Sequence, residues 1–382
     1  MRILYGVTGE GMGHATRSRV ILEGLLAAGH QVRVVVSGRA HAFLQKCFFE
    51  REGITIQEIH GLHLKYEGNA LELAESILSN LKKAPHGLLW NIAAYSKVAE
   101  EGFESEVVVS DFETWAYWYG LNHRLPVISI DNMQIINRCH HTDDVTGGRS
   151  RDFLIAKMAV KIKIPGAYHY LVTSFFFPPV RKPRTTLVPP ILRPEILAAR
   201  AEPGAHVLVY QTAASNEALV PILQTLDHEF RVYGLGKDGQ EKNVRLCPFS
   251  QDGFVEDLRT ARAVIAGGGF SLMGEAVHLH VPMLSVPIEG QYEQELNARY
   301  LAKFGYGAWA RELTADAIVG FLENTDAHAQ ALSAYTPHDN QLVHDCLAEL
   351  LRDVSLDEPR PDCLQTEALG CYGGPLLPEE KG

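Results

Sequence analysis

The sequence predicts an α/β protein built from two doubly wound domains, each with a parallel sheet between layers of helices. Short apolar strands alternate with helical stretches along most of the 382 residues, which is the pattern of successive β-α-β units. Two glycine-rich turns each follow a strand and open a helix, as ligand sites of such sheets do. A chain of this length is also expected to divide into two domains.

The elements are predicted from runs of β-branched and apolar residues that end in polar or glycine-containing turns. In the first half these runs predict strands at Ile3–Val7, Val32–Val36, Ile54–Ile59, Val107–Val109, Val127–Ile130 and Tyr170–Thr173. In the second half they predict strands at Val207–Tyr210, Arg231–Gly234, Val244–Cys247, Ala263–Ala266, Met283–Val286 and Ala308–Arg311. Between them, helices are predicted at Ala15–Ala28, Glu217–Leu226, Leu272–Leu279, Glu293–Phe304 and Leu342–Arg352.

Proline marks the boundary between the two halves. Five prolines lie between Pro178 and Pro190, and Pro194 follows. Proline has no backbone donor and disfavours helix in the residue before it, which indicates an extended linker. We therefore expect an N-terminal domain over residues 1–177, a linker over 178–204, a C-terminal domain over 205–354 and a tail over 355–382.

Composition excludes several classes of protein. A net charge of −11 disfavours nucleic-acid binding. We find no apolar run of about 18 residues that would span a membrane, and the start MRILYGV lacks the features of a signal peptide. The six cysteines show no C-x-x-C spacing, which favours reduced thiols over a disulfide or zinc framework. We therefore expect a cytoplasmic protein.

The first glycine-rich turn, TGEGMGHATR, places Gly11 and Gly13 before His14. The glycines allow a tight turn that brings a helix start close to a ligand. The dinucleotide fingerprint G-x-G-x-x-G is not met, because His14 takes the place of the last glycine, although Arg39 keeps an NADP site as an alternative. An imidazole at this place is suited to accept a proton from a hydroxyl, and the helix N-terminus favours its neutral form.

Asp111 follows another predicted strand, in the segment VSDFE. The carboxyl ends of parallel strands converge on one crevice, so this carboxylate is expected near His14, where it would fix the tautomer of the ring. We predict the two residues as a catalytic pair. The alternative is that His14 bonds only backbone groups and that Asp111 caps the helix that starts near Glu113.

The second glycine-rich turn, GGGFSLMGEA, also runs from a strand into a helix. The N–H groups of a helix start are suited to bind an anion, and a nearby carboxylate is suited to accept the hydroxyls of a ribose. We therefore predict that Gly268, Gly269 and Ser271 bind a diphosphate and that Glu275 binds a ribose.

The residue order G-x-S-x-x-x-E-A, then P-M, then E-Q-x-x-N-A resembles the donor-binding half of GT-B glycosyltransferases, in particular the MurG-like family. The resemblance implies two Rossmann-like domains that face each other across a cleft. It implies a nucleotide-sugar donor, UDP-linked, on the C-terminal domain and an acceptor on the N-terminal domain. It also implies direct displacement at the anomeric carbon, with inversion, and a histidine base at the position of His14.

The resemblance assigns roles to further residues. Glu293 and Gln294 match the pair that contacts sugar hydroxyls, although the family usually has Asp or Gln where Glu293 stands. Thr212 follows the first strand of the second domain and is a candidate phosphate ligand, unless this segment only caps a helix. Phe249 or Phe254 is a candidate for apolar contact with the nucleotide base, unless it is a core residue.

We expect neither a metal nor a cofactor. The chain contains no D-x-D motif, and the pairs His60/His63 and His278/His280 have no evident third ligand. Helix dipoles and amides would then stabilise the leaving group. Two alternatives stay open: a nucleotide-sugar 2-epimerase of similar fold, and a non-catalytic subunit that binds nucleotide or glycan. The acceptor remains unassigned, because acceptor loops are the least specified part of the fold.

Residues 149–164, RSRDFLIAKMAVKIKI, combine five basic residues with apolar ones. Parts of this segment fit a basic amphipathic helix that meets an anionic lipid or a lipid-linked acceptor, so peripheral membrane contact is one interpretation. The other is a core helix whose lysines reach solvent. The alternation in VKIKI indicates some strand character at the end.

Overall fold

The computed structural model describes residues 1–9, 11–61, 66–67, 70–71, 87, 89–98, 102–211, 218–356, 362 and 364. The strands of the first half are β1 (Arg2–Val7), β2 (Gln31–Val36), β3 (Ile54–Glu58), β4 (Tyr66–Glu67), β5 (Ala70–Leu71), β6 (Val107–Asp111), β7 (Val127–Asp131), β8 (His169–Thr173) and β9 (Thr185–Val188). Those of the second half are β10 (Val207–Tyr210), β11 (Phe230–Tyr233), β12 (Gly239–Glu241), β13 (Val244–Cys247), β14 (Ala263–Ala266), β15 (Met283–Ser285) and β16 (Gly307–Trp309).

Helices connect these strands. In the first half they are α1 (Met12–Ala27), α2 (Gly38–Cys47), α3 (Thr114–Asn122), α4 (Ile135–Arg138), α5 (Asp143–Thr146) and α6 (Arg151–Lys163), and residues 89–98 are also helical. In the second half they are α7 (Pro194–Leu197), α8 (Leu219–Leu223), α9 (Gln251–Arg259), α10 (Phe270–His278), α11 (Tyr292–Lys303), α12 (Ala315–Leu322), α13 (Thr325–Leu332) and α14 (Gln341–Ser355).

Two seven-stranded sheets form the centres of the two domains. The first has the order β3-β2-β1-β6-β7-β8-β9, and the second has the order β12-β13-β11-β10-β14-β15-β16. Neighbouring strands pair in parallel, except for β12, which runs antiparallel to β13. Every residue of β6, β7 and β8 is buried, as expected for parallel strands covered on both faces. The predicted pair of doubly wound domains is confirmed.

Each sheet reverses its strand order at one point, and the predicted site residues follow the strands at that point. In the first sheet the reversal lies between β1 and β6. The turn to His14 follows β1, and Asp111 is the last residue of β6. In the second sheet it lies between β10 and β14, and β14 leads into the turn that contains Gly269. A crevice forms where neighbouring connections leave a sheet on opposite faces, so ligands of doubly wound sheets bind there.

The proline-rich segment contributes to the first sheet. Residues Thr185–Val188 form β9, which pairs in parallel with β8 at the edge of the sheet. The flanking prolines lack donors, and an edge strand tolerates this because one of its sides forms no ladder hydrogen bonds. The extended chain that we expected as a linker is therefore partly a strand.

The last helix, α14, packs on the first domain although it follows the second in sequence. Its buried face, which includes Leu347 and Leu350, belongs to the same hydrophobic cluster as Ile3 of β1 and Ile21 of α1. Its apolar residues recur at helical spacing and need a partner surface. The packing of α14 thus ties the end of the second domain to the first.

Aromatic contacts also join the two domains beside the cleft. Phe176 stacks on Tyr300 of α11 with ring centroids 3.8 Å apart. On the same helix, Tyr292 lies against Phe153 of α6, with centroids 5.6 Å apart. These contacts hold the start of α11 against the N-terminal domain.

The segment 149–164, for which the sequence predicted both helix and strand character, is helical from Arg151 to Lys163. Ser150 begins α6 as its N-cap, where its hydroxyl accepts a hydrogen bond from the N–H of Phe153 at 3.3 Å. Only Phe153 and Val160 of this helix are buried, so most of its surface is accessible. No helix in the described part of the chain is long and apolar enough to cross a membrane.

Candidate active site in the cleft between the domains

The two glycine-rich turns meet across the cleft. Gly11 has a positive φ of 84°, which lets the chain turn sharply from β1 into α1. Gly13 then lies so close to Ser271 at the start of α10 that a Cβ on Gly13 would be 2.5 Å from the serine Oγ. Because the two helix starts lie side by side, their positive ends face the same space. Neither start has a side-chain cap, so side chains do not satisfy the first N–H groups of these helices.

The cleft around these turns has a volume of about 2590 Å³ and is lined by residues of both domains. Pockets for a single small ligand are usually about 300–1,000 Å³. The cleft therefore has room for two substrates side by side.

His14 and Asp111 lie together at the N-terminal wall of this cleft. The Nδ1 atom of His14 is 2.8 Å from Oδ1 of Asp111. Asp111 is 1% exposed, whereas the side chain of His14 keeps 17% of its surface accessible. The pair predicted from the sequence is thus brought together, with the outer part of the imidazole facing the cleft.

Asp111 does not cap helix α3, which was the alternative interpretation of this residue. Helix α3 is capped by Glu113, whose carboxylate accepts hydrogen bonds from the N–H groups of Trp115 and Ala116 at 2.9 and 2.6 Å. Asp111 instead accepts from Ser18 Oγ at 2.9 Å, and it also bonds Arg17. Its side chain therefore supports the site and leaves the cap of α3 to its neighbour.

Burial and the surrounding charges favour a neutral His14 ring beside an ionised Asp111 carboxylate. Burial lowers the pKa of His14, and Arg17 adds to this effect, so that the opposing influence of Asp111 is outweighed. Burial raises the pKa of Asp111, but Arg17 and His14 outweigh that effect and hold the pKa well below its usual range. A neutral imidazole is the form that accepts a proton from a hydroxyl.

Arg17 is a site residue that the sequence reasoning missed. Its Nε atom donates to Asp111 Oδ2 at 2.9 Å, and its Nη1 atom donates to Asn132 Oδ1 at 2.6 Å. Its Nη2 atom lies 2.7 Å from Nδ1 of His14. Its position three residues after His14 could have identified it, because residues three apart share one face of a helix.

On the donor side, Glu275 is paired with Arg193 of the proline-rich segment. The Nε and Nη2 atoms of Arg193 donate to the two oxygens of Glu275, each at 2.8 Å. Burial raises the pKa of Glu275 even though Arg193 opposes the shift. Each carboxylate oxygen accepts up to two hydrogen bonds, so this bidentate pair leaves acceptor capacity for hydroxyls.

The predicted diphosphate glycines differ in their surroundings. A Cβ on Gly268 would lie 2.3 Å from the backbone oxygen of Gln294, so this glycine is needed for close packing of the turn on α11. A Cβ on Gly269 would meet nothing within 4 Å. Gly269 is therefore the one that leaves open space at the start of α10.

Gln294 holds the glycine-rich turn in place. Its Oε1 atom accepts hydrogen bonds from the N–H groups of Gly268 and Ile288, both at 3.1 Å. Its Nε2 atom donates to Gln291 Oε1 at 2.5 Å. These bonds use both acceptor positions of the oxygen and one of the two N–H donors of Nε2, so the remaining N–H is the part of this amide that can contact a sugar.

Glu293 lies where the two domains touch. Its Oε1 atom accepts a hydrogen bond from Asn132 of the N-terminal domain and another from Asn297 of α11, both at 2.6 Å. Burial raises the pKa of Glu293 to about 7. The carboxylate therefore lines the cleft while it is already bound to the opposite wall.

The two phenylalanine candidates for base contact have different environments. Phe249 follows β13, lines the cleft and is 78% exposed. Phe254 is 7% exposed and packs edge-on against Tyr210 and Tyr233. Phe249 is thus the residue whose ring face is accessible. Thr212, the candidate phosphate ligand, lies outside the described residues.

The histidine pairs form no evident metal centre. His63 lies outside the described residues, and Nε2 of His280 is 3.0 Å from the backbone oxygen of Tyr335. Within the ranges that the structure describes, no group of three or more His, Cys, Asp and Glu side chains is placed to bind a metal ion.

Residues 1–325 match the family model described as glycosyl transferase family 1. The chain belongs to this family. Two relatives are uncharacterised glycosyltransferases of Methanosarcina acetivorans and Methanosarcina mazei, each 28% identical. In both cases the match covers 80% of this chain and 85% of the relative.

Solved structures of glycosyltransferases share the fold. Phytolacca americana UGT2, complexed with UDP-2-fluoro-glucose and pterostilbene, is 14% identical with a TM-score of 0.62, over 93% of this chain and 99% of that one. Acinetobacter baumannii MurG is 16% identical with a TM-score of 0.55, over 90% and 98%. The family 1 enzyme is thus a GT-B glycosyltransferase, as predicted, with MurG as one of several structural neighbours.

Proposed function

We propose that this glycosyltransferase transfers a sugar from a UDP-linked donor to a hydroxyl of an acceptor in the same cleft, with His14 as the general base. The observation that carries the proposal is the position of the His14–Asp111 pair opposite the start of α10, where Gly13 approaches Ser271. The imidazole of His14 and the start of α10 thus lie on facing walls of the cleft, which supports a base on one wall and an anion-binding site on the other.

The transfer is a single displacement. With the Nδ1 proton donated to Asp111, the Nε2 lone pair of His14 takes the proton of the acceptor hydroxyl. The acceptor oxygen forms a bond to the anomeric carbon while the bond from that carbon to the diphosphate oxygen breaks. Attack from the side opposite the leaving group inverts the anomeric configuration.

The C-terminal wall offers a contact for each part of the donor. The diphosphate is bound by N–H groups at the start of α10, near Gly269 and Ser271, whose dipole stabilises the leaving charge without a metal. The ribose hydroxyls bind Glu275, the nucleobase stacks on Phe249 and the sugar reaches Glu293. That the structurally similar Phytolacca americana UGT2 binds a UDP-sugar supports a UDP-linked donor.

The N-terminal wall favours an acceptor with an apolar body. Ile92, Trp118 and Ile155 come from three different helices, line the cleft and are each more than half exposed. Trp115 and Tyr95 line the same wall. Apolar side chains that remain exposed in a cleft commonly mark a ligand-binding surface.

Release of UDP tests the proposal. Purified enzyme is mixed with a panel of nucleotide sugars, with and without acceptor hydroxyl compounds that carry aromatic or polyprenyl groups. We expect acceptor-dependent UDP release, with products identified by mass spectrometry. Release of free UDP without any acceptor, together with a 2-epimerised sugar, would support the epimerase alternative instead.

A second proposal is that α6 contacts an anionic membrane surface. Leu154, Met158 and Ile162 recur every four residues, so they form one stripe, and each is more than half exposed. Lys157 and Lys161 lie beside this stripe along the helix. An exposed apolar stripe with flanking lysines is typical of helices that lie in the lipid interface.

Further basic residues strengthen this surface. Burial and, after it, the charges of Arg181, Arg138, Lys161 and Lys157 lower the pKa of Lys182 to about 8, so Lys182 and Arg181 add to the positive potential near Lys157 and Lys161, whereas Arg138 is buried. Flotation with vesicles tests the contact. We expect binding at low salt to vesicles that contain phosphatidylglycerol and none to phosphatidylcholine vesicles, and absence from both would refute it.

A further inference from the structure

A chain of polar side chains crosses the cleft from His14 to the donor wall. On the N-terminal side, Asp111 is bonded to Arg17, and Arg17 Nη1 donates to Asn132 Oδ1 at 2.6 Å. Asn132 Nδ2 then donates to Glu293 Oε1 at 2.6 Å, on the other domain. The predicted base and the predicted sugar ligand are thus joined by side chains alone.

The chain continues to the glycine-rich turn. The oxygen of Glu293 that binds Asn132 also accepts from Asn297 Nδ2 at 2.6 Å. The same Nδ2 atom donates to the backbone oxygen of Gly268 at 3.1 Å. Two asparagines therefore share one carboxylate oxygen, and only Asn132 leads back to Arg17.

At the other end, Nδ1 of His14 is shared by two groups with opposite requirements. It lies 2.8 Å from Asp111 Oδ1, which only accepts, and 2.7 Å from Arg17 Nη2, which only donates. The same Nη2 atom also donates to Asp111 Oδ1 at 2.5 Å, so Asp111 and Asn132 together set the position of the guanidinium. With a proton on Nδ1 the ring donates to Asp111, and Nε2 is free to act as a base. Without that proton Nδ1 accepts from Arg17, and the neutral ring carries its proton on Nε2.

We propose that Arg17 and Asn132 are positioning residues that make the protonation of His14 depend on what Glu293 binds. The inference rests on the proposed function, in which Glu293 receives the donor sugar. A sugar hydroxyl that donates to Glu293 competes with Asn132 for the shared oxygen. Once Asn132 loses that anchor, the guanidinium of Arg17 is held less firmly beside Nδ1. The ring then donates to Asp111, and His14 becomes a competent base when the donor sugar is in place.

Other charged groups near His14 are unchanged by this exchange. The titratable and charged side chains that face the ring or its partners are Arg17 of α1, Asp111 of β6, Lys163 of α6, Asp131 of β7, Tyr5 of β1 and Glu293 of α11. All of them remain when Asn132 is replaced. A changed response of His14 in an Asn132 variant therefore reports on the chain itself.

The test must observe the ring directly, because Glu293 has a pKa of about 7 and would contribute to any pH profile of activity. Histidine labelled with ¹⁵N in the ring reports both the tautomer and the titration of His14 by NMR, with His14→Asn to assign its signals among the 17 histidines. Spectra are compared between enzyme bound to UDP and enzyme bound to the 2-fluoro analogue of the UDP-sugar found in the release assay.

We expect the midpoint of the His14 titration to be higher in the UDP-sugar complex than in the UDP complex by about 0.5 pH units or more. Arg17 lowers the pKa of His14, so its retreat raises it. The proton should also move to Nδ1. In Asn132→Ala the two complexes should give the same titration.

Asn297→Ala is the matched control. It removes a hydrogen bond of the same length from the same oxygen of Glu293, yet it leaves the path to Arg17 intact, so the difference between the complexes should persist. Asn132→Asp is the second variant should the alanine variant not fold. It keeps an acceptor for Arg17, loses the donor to Glu293 and adds a negative charge that is present in both complexes, so the comparison is again of the difference between the complexes.

The outcomes separate the two proposals. If calorimetry shows that the UDP-sugar binds but His14 titrates alike in both wild-type complexes, the coupling is refuted and the glycosyltransferase proposal stands. The coupling is also refuted if Asn132→Ala and Asn132→Asp keep the wild-type difference. If no nucleotide sugar binds at all, the proposed function fails, and the coupling falls with it.

Discussion

At the scale of single residues, the site depends on pairing between segments that are far apart in sequence. His14, Asp111, Glu275 and Glu293 could be predicted as site residues because the sequence places them at strand ends and helix starts. In doubly wound sheets these positions line the ligand crevice. Their partners were not predictable in this way. Arg193 reaches Glu275 across 82 positions, and such pairing depends on tertiary structure that no local pattern encodes.

His14→Ala should lower turnover by roughly 10²–10⁴-fold, the contribution of a general base. UDP affinity should be nearly unchanged, because the proposed nucleotide site lies on the other domain. Steady-state kinetics and calorimetry measure the two effects. His41→Ala, which removes a histidine of α2 outside the cleft, is the control. Turnover within a few-fold of wild type in His14→Ala would show that another group accepts the proton.

The pH dependence follows from the lowered pKa of His14. Burial, aided by Arg17, holds this pKa below the usual value of about 6.5. In the proposed mechanism the neutral ring is the active form. In Glu293→Gln, which removes the titration of the cleft carboxylate near pH 7, kcat/KM should therefore be retained as pH falls to about 6.5 and decline only as pH passes through the lowered pKa of His14. A decline in kcat/KM already centred above pH 7 would contradict this assignment.

Glu275→Ala should weaken UDP binding by about 1–3 kcal/mol, because a charged acceptor for the ribose is lost. It also leaves Arg193 without its carboxylate, so some loss of thermal stability is expected. Glu289→Ala removes another, exposed carboxylate of the cleft and serves as the control. Unchanged calorimetric affinity in Glu275→Ala would remove this residue from the donor site.

At the scale of elements, most strands and helices were predictable because their apolar periodicity is strong. The exceptions have physical causes. The strand β9 lies between prolines, and an extended linker and an edge strand share the same backbone preference. The end of α6 alternates like a strand, yet it continues a helix begun by the Ser150 cap. Where local sequence preferences allow two structures, contacts with residues distant in sequence decide between them.

The approach of α1 to α10 gives a prediction at this scale. In Gly13→Ala the new methyl group would lie 2.5 Å from Ser271 Oγ and 3.3 Å from Ser271 Cβ, so the hydroxyl must rotate away and the helix starts must shift by a few tenths of an ångström. Overpacking of this kind costs about 1–3 kcal/mol, which should appear as a lower thermal midpoint and a lower kcat/KM. Adding Ser271→Ala removes the clashing oxygen and should restore part of the stability. Equal stability of Gly13→Ala and wild type would show that the two turns are not in contact.

At the scale of the whole molecule, function depends on two walls held face to face. Helix α14 returns to the first domain, and the aromatic contacts of α11 close one side of the cleft. The sequence predicted two domains and a cleft, but not this return, because the buried face of α14 is compatible with either domain. In the proposed reaction, the base lies on one side of the anomeric carbon and the diphosphate on the other.

The stereochemistry of transfer tests this arrangement most directly. The product formed from the UDP-sugar identified by the release assay is isolated, and the coupling constant of its anomeric proton is measured by NMR. A single displacement with His14 on the face opposite the diphosphate predicts inversion, so an α-linked donor yields a β-linked product. An α-linked product would contradict it, because retention requires attack from the face of the leaving group or a second displacement.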